Sequence, residues 1–396
     1  MAAVRLDKQI KRHVIAPRHQ MLAVTAPGAE KVCAAELAAL SDTIRVEGET
    51  AGGVAFSGRL IDLYRANLHL RTAVRIWLRV TAFKATNFRQ LEKQCAAVAW
   101  EHYLPSGCVP QCKAVARGSR LYHTGALAQR AAAAVASRWQ AQAVPLSGGS
   151  GQTLLIRLED DRATVSLDSS GEHLYRRGLK THGARAPLRE NLAAAVLRMA
   201  GYDPGRPLLD PMCGAGTFSL EAALMAKKVA PGSRRSFAFM QWPAFQPSRW
   251  RHLLKMAAMQ QRVLSQPLIL ASDLDETACR QLSACVAANG LADAVRVACR
   301  DFFGMVPEVS AGPGAIPGLV VLNPPYGRRL SPAADPLAYY RRLLSKLQRD
   351  FRGWDVALLA PDGLLESALP YLLQPFPLVH GGLSLQLLVG RMEDTT

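Results

Sequence analysis

Four consecutive residues, Asn323-Pro324-Pro325-Tyr326, follow the apolar run Val320-Val321-Leu322. Neither proline has a backbone N–H, so the carbonyls here and the Asn323 side-chain oxygen face outward as acceptors. Tyr326 adds an aromatic face beside them. Such a set suits a planar base or amide carrying an NH₂ group. The acceptors take its two N–H bonds while the ring stacks on its plane. A proline-stiffened turn with no chemistry is the bland reading of the same tetrapeptide.

A second constellation lies upstream. Leu208-Leu209-Asp210-Pro211-Met212-Cys213-Gly214-Ala215-Gly216-Thr217 runs from a strand through a turn into a helix at Phe218–Lys228. Gly214 and Gly216 remove side chains where a ligand approaches the backbone closely. The next strand ends in Ser272-Asp273-Leu274-Asp275, where an acid can accept both hydroxyls of a ribose. A third runs into Arg300-Asp301-Phe302-Phe303, where Asp301 can accept from an adenine amino group beside a phenylalanine face. The turn lacks the Gly-Lys-Ser/Thr ending of a phosphate loop and the third glycine of a dinucleotide fingerprint. Asp210 beside it would repel a pyrophosphate but hold a cation. S-adenosylmethionine, with its ammonium, sulfonium, ribose and adenine and no phosphate, matches this set.

The elements that must position these residues alternate strand and helix in the C-terminal half, the pattern of an α/β, doubly wound sheet. Strands are expected at Pro207–Asp210, Leu268–Ser272, Val295–Cys299, Leu319–Leu322, Val356–Leu359 and Leu383–Val389, the last in a terminal hairpin. A helix is expected from Glu276 to Asn289, with Gly290 ending it. The N-terminal half reads as α+β with antiparallel pairing. Its strands are Met21–Thr25, Val54–Phe56 and Arg75–Val80, followed by a hairpin of Leu154–Leu158 and Ala163–Leu167 around Asp160-Asp161. Helices fall at Ala29–Leu40, Leu60–Leu68 and Gln129–Trp139. Residues 1–20 read as a basic arm that either touches RNA or is disordered. The junction between the halves is placed in Ser170–Ala186, which sets domains at 21–170 and 171–396.

The order Asp-Pro-Met-Cys-Gly-x-Gly-Thr, Ser-Asp-x-Asp, Arg-Asp-Phe and Asn-Pro-Pro-Tyr-Gly resembles the class I S-adenosylmethionine-dependent methyltransferases. More narrowly, it resembles the THUMP-containing RNA guanine-N2 methyltransferases, above all the family that modifies bacterial 23S rRNA. The likeness extends through Ser166–Glu172, Arg176-Arg177-Gly178 and the helix Ala186–Ala195, and covers nearly the whole chain from Met21. It implies a Rossmann-like methyltransferase sheet preceded by a ferredoxin-like and THUMP RNA-binding region. Cofactor contacts are implied for Asp210, Pro211, Cys213, Gly214, Gly216, Thr217, Asp273, Asp301, Phe302 and Asn323, and chemistry for Asn323, Pro324, Pro325 and Tyr326. Two departures stand out. Arg328-Arg329 follow Gly327 where family members often carry an acid, and no second methyltransferase pattern precedes Thr396, so one methylation activity is expected.

Composition agrees with a nucleic-acid partner. Lys plus Arg number 48 against 31 acids, a net charge of +17, which favours polyanions. Arg176, Arg177, Lys180, Arg185 and Arg189 share one acid-free segment. A second, from Lys227 to Pro267, includes Arg234 and Arg235 with Phe237, Phe239, Trp242, Phe245 and Trp250 interleaved. Arg176, Arg177, Lys180, Arg185, Arg234 and Arg235 are the candidate RNA contacts, while Trp242 and Trp250 suit packing better than stacking. The eight cysteines are scattered, without paired zinc-ligand spacing, and fit a reducing cytoplasm with no metal. No apolar run is long enough for a membrane span.

Methyl transfer to guanine N2 in 23S rRNA is therefore the leading expectation. The same reaction on tRNA, glutamine-N5 methylation of a protein, and a non-catalytic RNA-binding assembly factor are the alternatives. Basic charge and the N-terminal α+β region disfavour the protein substrate, and intact motifs disfavour the non-catalytic factor.

Overall fold

The computed structural model describes residues 2–147, 151–179, 188–307, 316–325, 335–365 and 373–392. The chain forms two compact units. The first comprises Met1–Thr25, Cys33–Leu174 and Arg234–Lys255, the second Ala26–Val32, Tyr175–Ser233 and Met256–Thr396.

In the first unit, β1 (His19–Thr25), α2 (Glu30–Ala38), β2 (Arg45–Thr50), β3 (Gly53–Gly58), α3 (Leu60–His69) and β4 (Ala73–Lys84) follow one another after an N-terminal helix, α1 (Ala2–Ile10). The strands lie in the order β2-β3-β1-β4, all antiparallel, which is the ferredoxin-like βαββαβ arrangement. Alternation makes β1 a half-buried strand, with Met21, Ala23 and Thr25 turned inward. The sheet continues through β7 (Arg162–Asp168), β6 (Thr153–Glu159) and β5 (Gln111–Arg117), with α4 (Phe88–Ala97) and α5 (Thr124–Ala141) inserted along the chain. β6 and β7 join through Asp160 and Asp161, both at positive φ (47° and 60°). That is the two-residue turn whose twist matches a hairpin, and aspartate tolerates the left-handed region better than most residues.

Three features of this unit depart from the sequence reading. Residues 2–10 form α1 and Lys11–Ile15 a π-helical turn, with Ile10 and Val14 buried, so the basic arm is ordered structure. β5 pairs with β6 in parallel rather than antiparallel, because α5 intervenes as a crossover between them. The aromatic segment Arg234–Lys255 groups with this unit rather than with the 171–396 domain in which the sequence reading placed it, and its Trp242 and Trp250 pack as expected. Tyr64 stacks on Phe239 with centroids 4.6 Å apart, Trp250 meets Phe239 edge-on at 5.4 Å, and Trp242 Nε1 donates to Gln152 Oε1 at 2.9 Å.

The second unit holds a seven-stranded sheet. Its strands are β8 (Leu208–Asp210), β9 (Ile269–Asp273), β10 (Val295–Cys299), β11 (Leu319–Leu322), β12 (Asp355–Pro361), β13 (Leu373–His380) and β14 (Leu383–Arg391), in the order β10-β9-β8-β11-β12-β14-β13. The first five are parallel, and β14 and β13 close the far edge as an antiparallel hairpin. Near-continuous apolar runs suit strands covered on both faces. One face packs against α6 (Glu190–Met199), α7 (Thr217–Ala226) and α9 (Glu276–Ala288), the other against α10 (Pro336–Asp350). A further helix, α8 (Pro247–Met259), precedes β9 in the chain and belongs to the first unit through Lys255. Strand order reverses between β8 and β11, where Leu319 and Val320 pair with Leu208 and Leu209. Such a switch point opens a crevice beyond the carboxyl ends of the strands.

Candidate active site

Every motif of the second unit ends at that carboxyl edge. β8 stops at Asp210, and the turn to α7 is shaped by two hydrogen bonds: Cys213 N–H donates to the Ser272 carbonyl at 2.9 Å and Gly216 N–H to the Cys213 carbonyl at 2.7 Å. Gly216 caps α7 at φ 75°, and a Cβ there would lie 2.2 Å from Leu282 Cδ1 of α9. Glycine is thus required for helix packing at that position. Gly214 (φ 49°) has nothing within 4 Å of its missing Cβ, so the backbone lies open toward the crevice.

Asp273 ends β9. Its Oδ2 accepts from Gly214 N–H at 2.8 Å and its Oδ1 from Asp275 N–H at 3.0 Å. Each carboxylate oxygen keeps a second lone pair for a ligand hydroxyl. Leu274 follows, 72% exposed. Beyond β10, Asp301 caps a short 3₁₀ turn by accepting from Phe303 N–H at 3.0 Å. Phe302 is packed into the core beneath it, its ring 5.7 Å from Phe351.

These ends enclose a cavity of about 610 Å³, within the size range of small-molecule sites. Pro211, Cys213, Gly214 and Thr217 of the first turn line it, with Asp273, Asp301 and Phe302 from the next two strand ends and Asn323 and Pro325 from β11. Gly216 and Asp210 lie behind that wall. Pro324 is buried and off the wall as well, while Tyr326, Lys180 and Arg185 fall outside the described residues. Sequence reasoning did not single out as site residues Leu188, Met212, Ala215, Phe218, Leu274, Phe303, Tyr339 and Arg342, which also line the cavity. For the last two a signal existed. Asp335-Pro336 is a helix-start pair, and Tyr339 and Arg342 stand one turn apart after it.

Asp210 is 1% exposed, and its Oδ2 accepts from both the Ser219 hydroxyl (2.6 Å) and the Ser219 N–H (3.2 Å). Its Oδ1 has no hydrogen-bond partner among the described residues. Burial pushes the carboxyl up to about 7, against the opposing pull of the Ser219 hydrogen bonds, and nearby Asp273 adds to the rise. Asn323 Oδ1 is likewise buried without a partner among the described residues. Orphaned acceptors of this kind are rare in folded proteins, and two of them flank one crevice at its switch point.

The candidate RNA contacts separate. Arg176 and Arg234 are exposed. Arg177 is a correction: it is buried and donates to Glu221 of α7 at 2.8 Å, so it holds the fold and is withdrawn from any RNA surface. Arg235 spends its guanidinium on the carbonyls of His173 (2.5 Å) and Glu172 (2.6 Å) and stacks over Phe237. Among the described residues, no group of three or more His, Cys, Asp or Glu is placed to hold a metal, and no helix is long and apolar enough to cross a membrane.

Comparison with known proteins matches this architecture. The family model described as "RMKL-like, methyltransferase domain" fits residues 177–371, and one described as "RlmL ferredoxin-like domain" fits residues 20–77. A ribosomal RNA large subunit methyltransferase K/L of Methylococcus capsulatus is 35% identical over 349 residues, 85% of this chain and 46% of that protein. The chain thus spans about half the length of that relative. A putative RNA methyltransferase of Synechocystis sp. is 32% identical over 378 residues, 92% of this chain and 95% of the relative. Among solved structures, a putative methyltransferase complexed with SAH, SMU.472, superposes with a TM-score of 0.84 at 26% identity, covering 96% of this chain and all (100%) of its own. Fold and crevice place the second unit among the methyltransferases that use S-adenosylmethionine. The chain belongs to the RMKL-like methyltransferase family.

Proposed function

We propose that this protein methylates the exocyclic N2 amino group of a guanine in 23S rRNA. The observation that carries the reading is Asn323, which lines the cavity at the end of β11 with an acceptor oxygen that no described residue satisfies.

The cavity fits its cofactor by its own chemistry. Gly214 leaves backbone open where a side chain would intrude, Asp273 offers lone pairs to ribose hydroxyls, and Asp301 with the neighbouring phenylalanine suits an adenine edge and face. Asp210, buried behind the turn, keeps an unsatisfied Oδ1, and an ammonium beside it would favour the ionised form of a carboxyl that burial otherwise raises. S-adenosylmethionine supplies a methyl group on a sulfonium. On the substrate side, the Asn323 side-chain oxygen accepts one N–H bond of the guanine amine, and the second acceptor expected from the sequence is the carbonyl of Pro324, a residue off the cavity wall. That grip draws the nitrogen toward a pyramidal shape and aims its lone pair. Aromatic amines are weak nucleophiles, so orientation does most of the work. The alkylated nitrogen then sheds its proton to water without a dedicated base. Tyr326 stacks on the base once it has left its helix or loop.

RNA as substrate is supported by the net charge of +17, by the exposed Arg176 and Arg234, and by the names of the relatives. The ferredoxin-like unit, with the strands appended to it, is read as the THUMP-containing RNA-binding region. The test compares N2-methylguanosine in 23S rRNA and in tRNA from cells with and without the gene. Loss confined to 23S rRNA is the expected result, and loss confined to tRNA would transfer the reading there. Asn323→Ala should reduce methyl transfer about 10²–10³-fold, in line with deletion of one preorganised polar group. Affinity for S-adenosylhomocysteine should stay unchanged, and its collapse would show that Asn323 serves the cofactor alone.

A further inference from the structure

The cavity wall carries a cation that the chemistry above leaves unused. Arg342 lies on α10, one turn past Tyr339 and one turn before Lys346, so the three share a stripe of that helix. Lys346 is buried and donates to the Met305 carbonyl at 2.6 Å, pinning the segment after β10 against α10. Arg342 Cζ stands 3.8 Å from the Phe303 ring centroid, and the Tyr339 ring meets the same phenylalanine edge-on at 6.2 Å. The guanidinium therefore lies against an aromatic plane that the fold itself holds in place. It is exposed, lines the cavity and pairs with no carboxylate among the described residues.

Stacking uses a face of the guanidinium and leaves its N–H edge free for a bidentate anion. Two anions can reach this cavity, a cofactor carboxylate and an RNA phosphate. The carboxylate has donors in the first-turn N–H groups of α7, after the middle strand β8. Arg342 instead stacks on a residue that follows β10, the outermost of the parallel strands. We infer that Arg342 is a positioning residue that grips an RNA phosphate beside the nucleotide being methylated. The inference rests on the RNA reading above.

The test uses the full chain, undermethylated 23S rRNA from cells lacking the gene, and a potassium chloride series. Arg342→Ala should raise the RNA Kd and KM about tenfold and reduce the slope of log Kd against log salt by about one. The kcat at saturating RNA and the S-adenosylhomocysteine Kd from calorimetry should hold. Arg342→Lys should restore the salt slope but only part of the affinity, since a point charge lacks the planar fork. An unchanged RNA Kd and slope in the alanine variant would overturn the inference. So would a parallel loss of S-adenosylhomocysteine affinity, which would assign Arg342 to the cofactor. Wild-type protein that methylates no RNA sinks the functional reading instead; the salt slope needs no turnover and still decides Arg342.

Discussion

The Asp273 carboxylate accepts the Gly214 backbone N–H at 2.8 Å, tying the turn after β8 to the end of β9. One side chain thereby sets the shape of the glycine turn and offers acceptors to a ribose. Asp273→Ala removes both roles. Hydrogen bonds to a charged acceptor contribute about 1.5–3 kcal/mol each, so S-adenosylhomocysteine affinity should fall about tenfold to a hundredfold by calorimetry. Asp273→Asn, which keeps one acceptor oxygen, should fall between. Wild-type affinity in the alanine variant would place the ribose elsewhere.

The two glycines of the turn should respond differently to alanine. At Gly216 a Cβ meets Leu282 at 2.2 Å and the backbone sits at φ 75°, so overpacking and strain add to about 2–4 kcal/mol. At Gly214 the new methyl meets nothing, leaving a φ penalty of about 1–2 kcal/mol. Urea unfolding should rank Gly216→Ala as the less stable variant. Gly214→Ala should lose more in cofactor affinity than in stability, since its methyl projects into open space at the cavity. Equal destabilisation of the two would contradict this assignment.

Much of this site was legible because its strands are short apolar runs that end in a polar residue. Val295–Cys299 and Leu319–Leu322 are observed with the bounds expected from sequence, and Asp273, Asp301 and Asn323 stand where those runs stop. The remainder was hidden for physical reasons. β2 is exposed along its whole length and carries no alternation, so it lacks the buried face that periodicity detects, while β5 at the sheet edge alternates only between exposed and half-buried positions. Arg177 looked like its neighbour Arg176 because charge in a sequence carries no depth. Its partner Glu221 lies 44 positions away, as the single charged residue of α7. Packing of Trp242 and Trp250 was legible, whereas that of Phe239 and Phe245 was hidden for the same reason: their Tyr64 partner is remote in sequence.

Asp210 makes stability depend on pH in a stated direction. Its folded-state carboxyl is raised to about 7 from an ordinary 3.8, so the folded protein holds that proton more tightly than the unfolded chain. The stabilisation is full below pH ~4 and is lost as pH rises through about 7. Ser219, Asp273 and Cys213 are the groups that face it, and only the Ser219 hydrogen bonds favour the anion. Asp210→Asn removes the titration while Ser219 keeps an acceptor. The stability difference, variant minus wild type, should therefore grow by a few kcal/mol between pH ~4 and ~7 and then level off. Urea unfolding at a series of pH values measures it, and a flat difference would mean the carboxyl is already ionised in the native state.

Arg177 and Arg176 are adjacent, yet their alanine variants should fail in opposite ways. The Arg177–Glu221 pair is 1% exposed on both sides, with 2.8 Å between the charged atoms. Removing one partner of a buried pair strands the other charge and costs about 3–5 kcal/mol. Arg177→Ala should accordingly lower the thermal midpoint sharply, with RNA binding by the remaining folded protein little altered. Arg176 is exposed, and its substitution should change stability by no more than about 0.5 kcal/mol while weakening RNA binding and flattening its salt dependence. A double variant, Arg177→Met with Glu221→Leu, should recover much of the lost stability, because an apolar pair of similar volume avoids the desolvation of both charges. If it does not, the ion pair is needed for more than filling and neutralising that interior position, and the helix it anchors, α7, is where the further requirement lies.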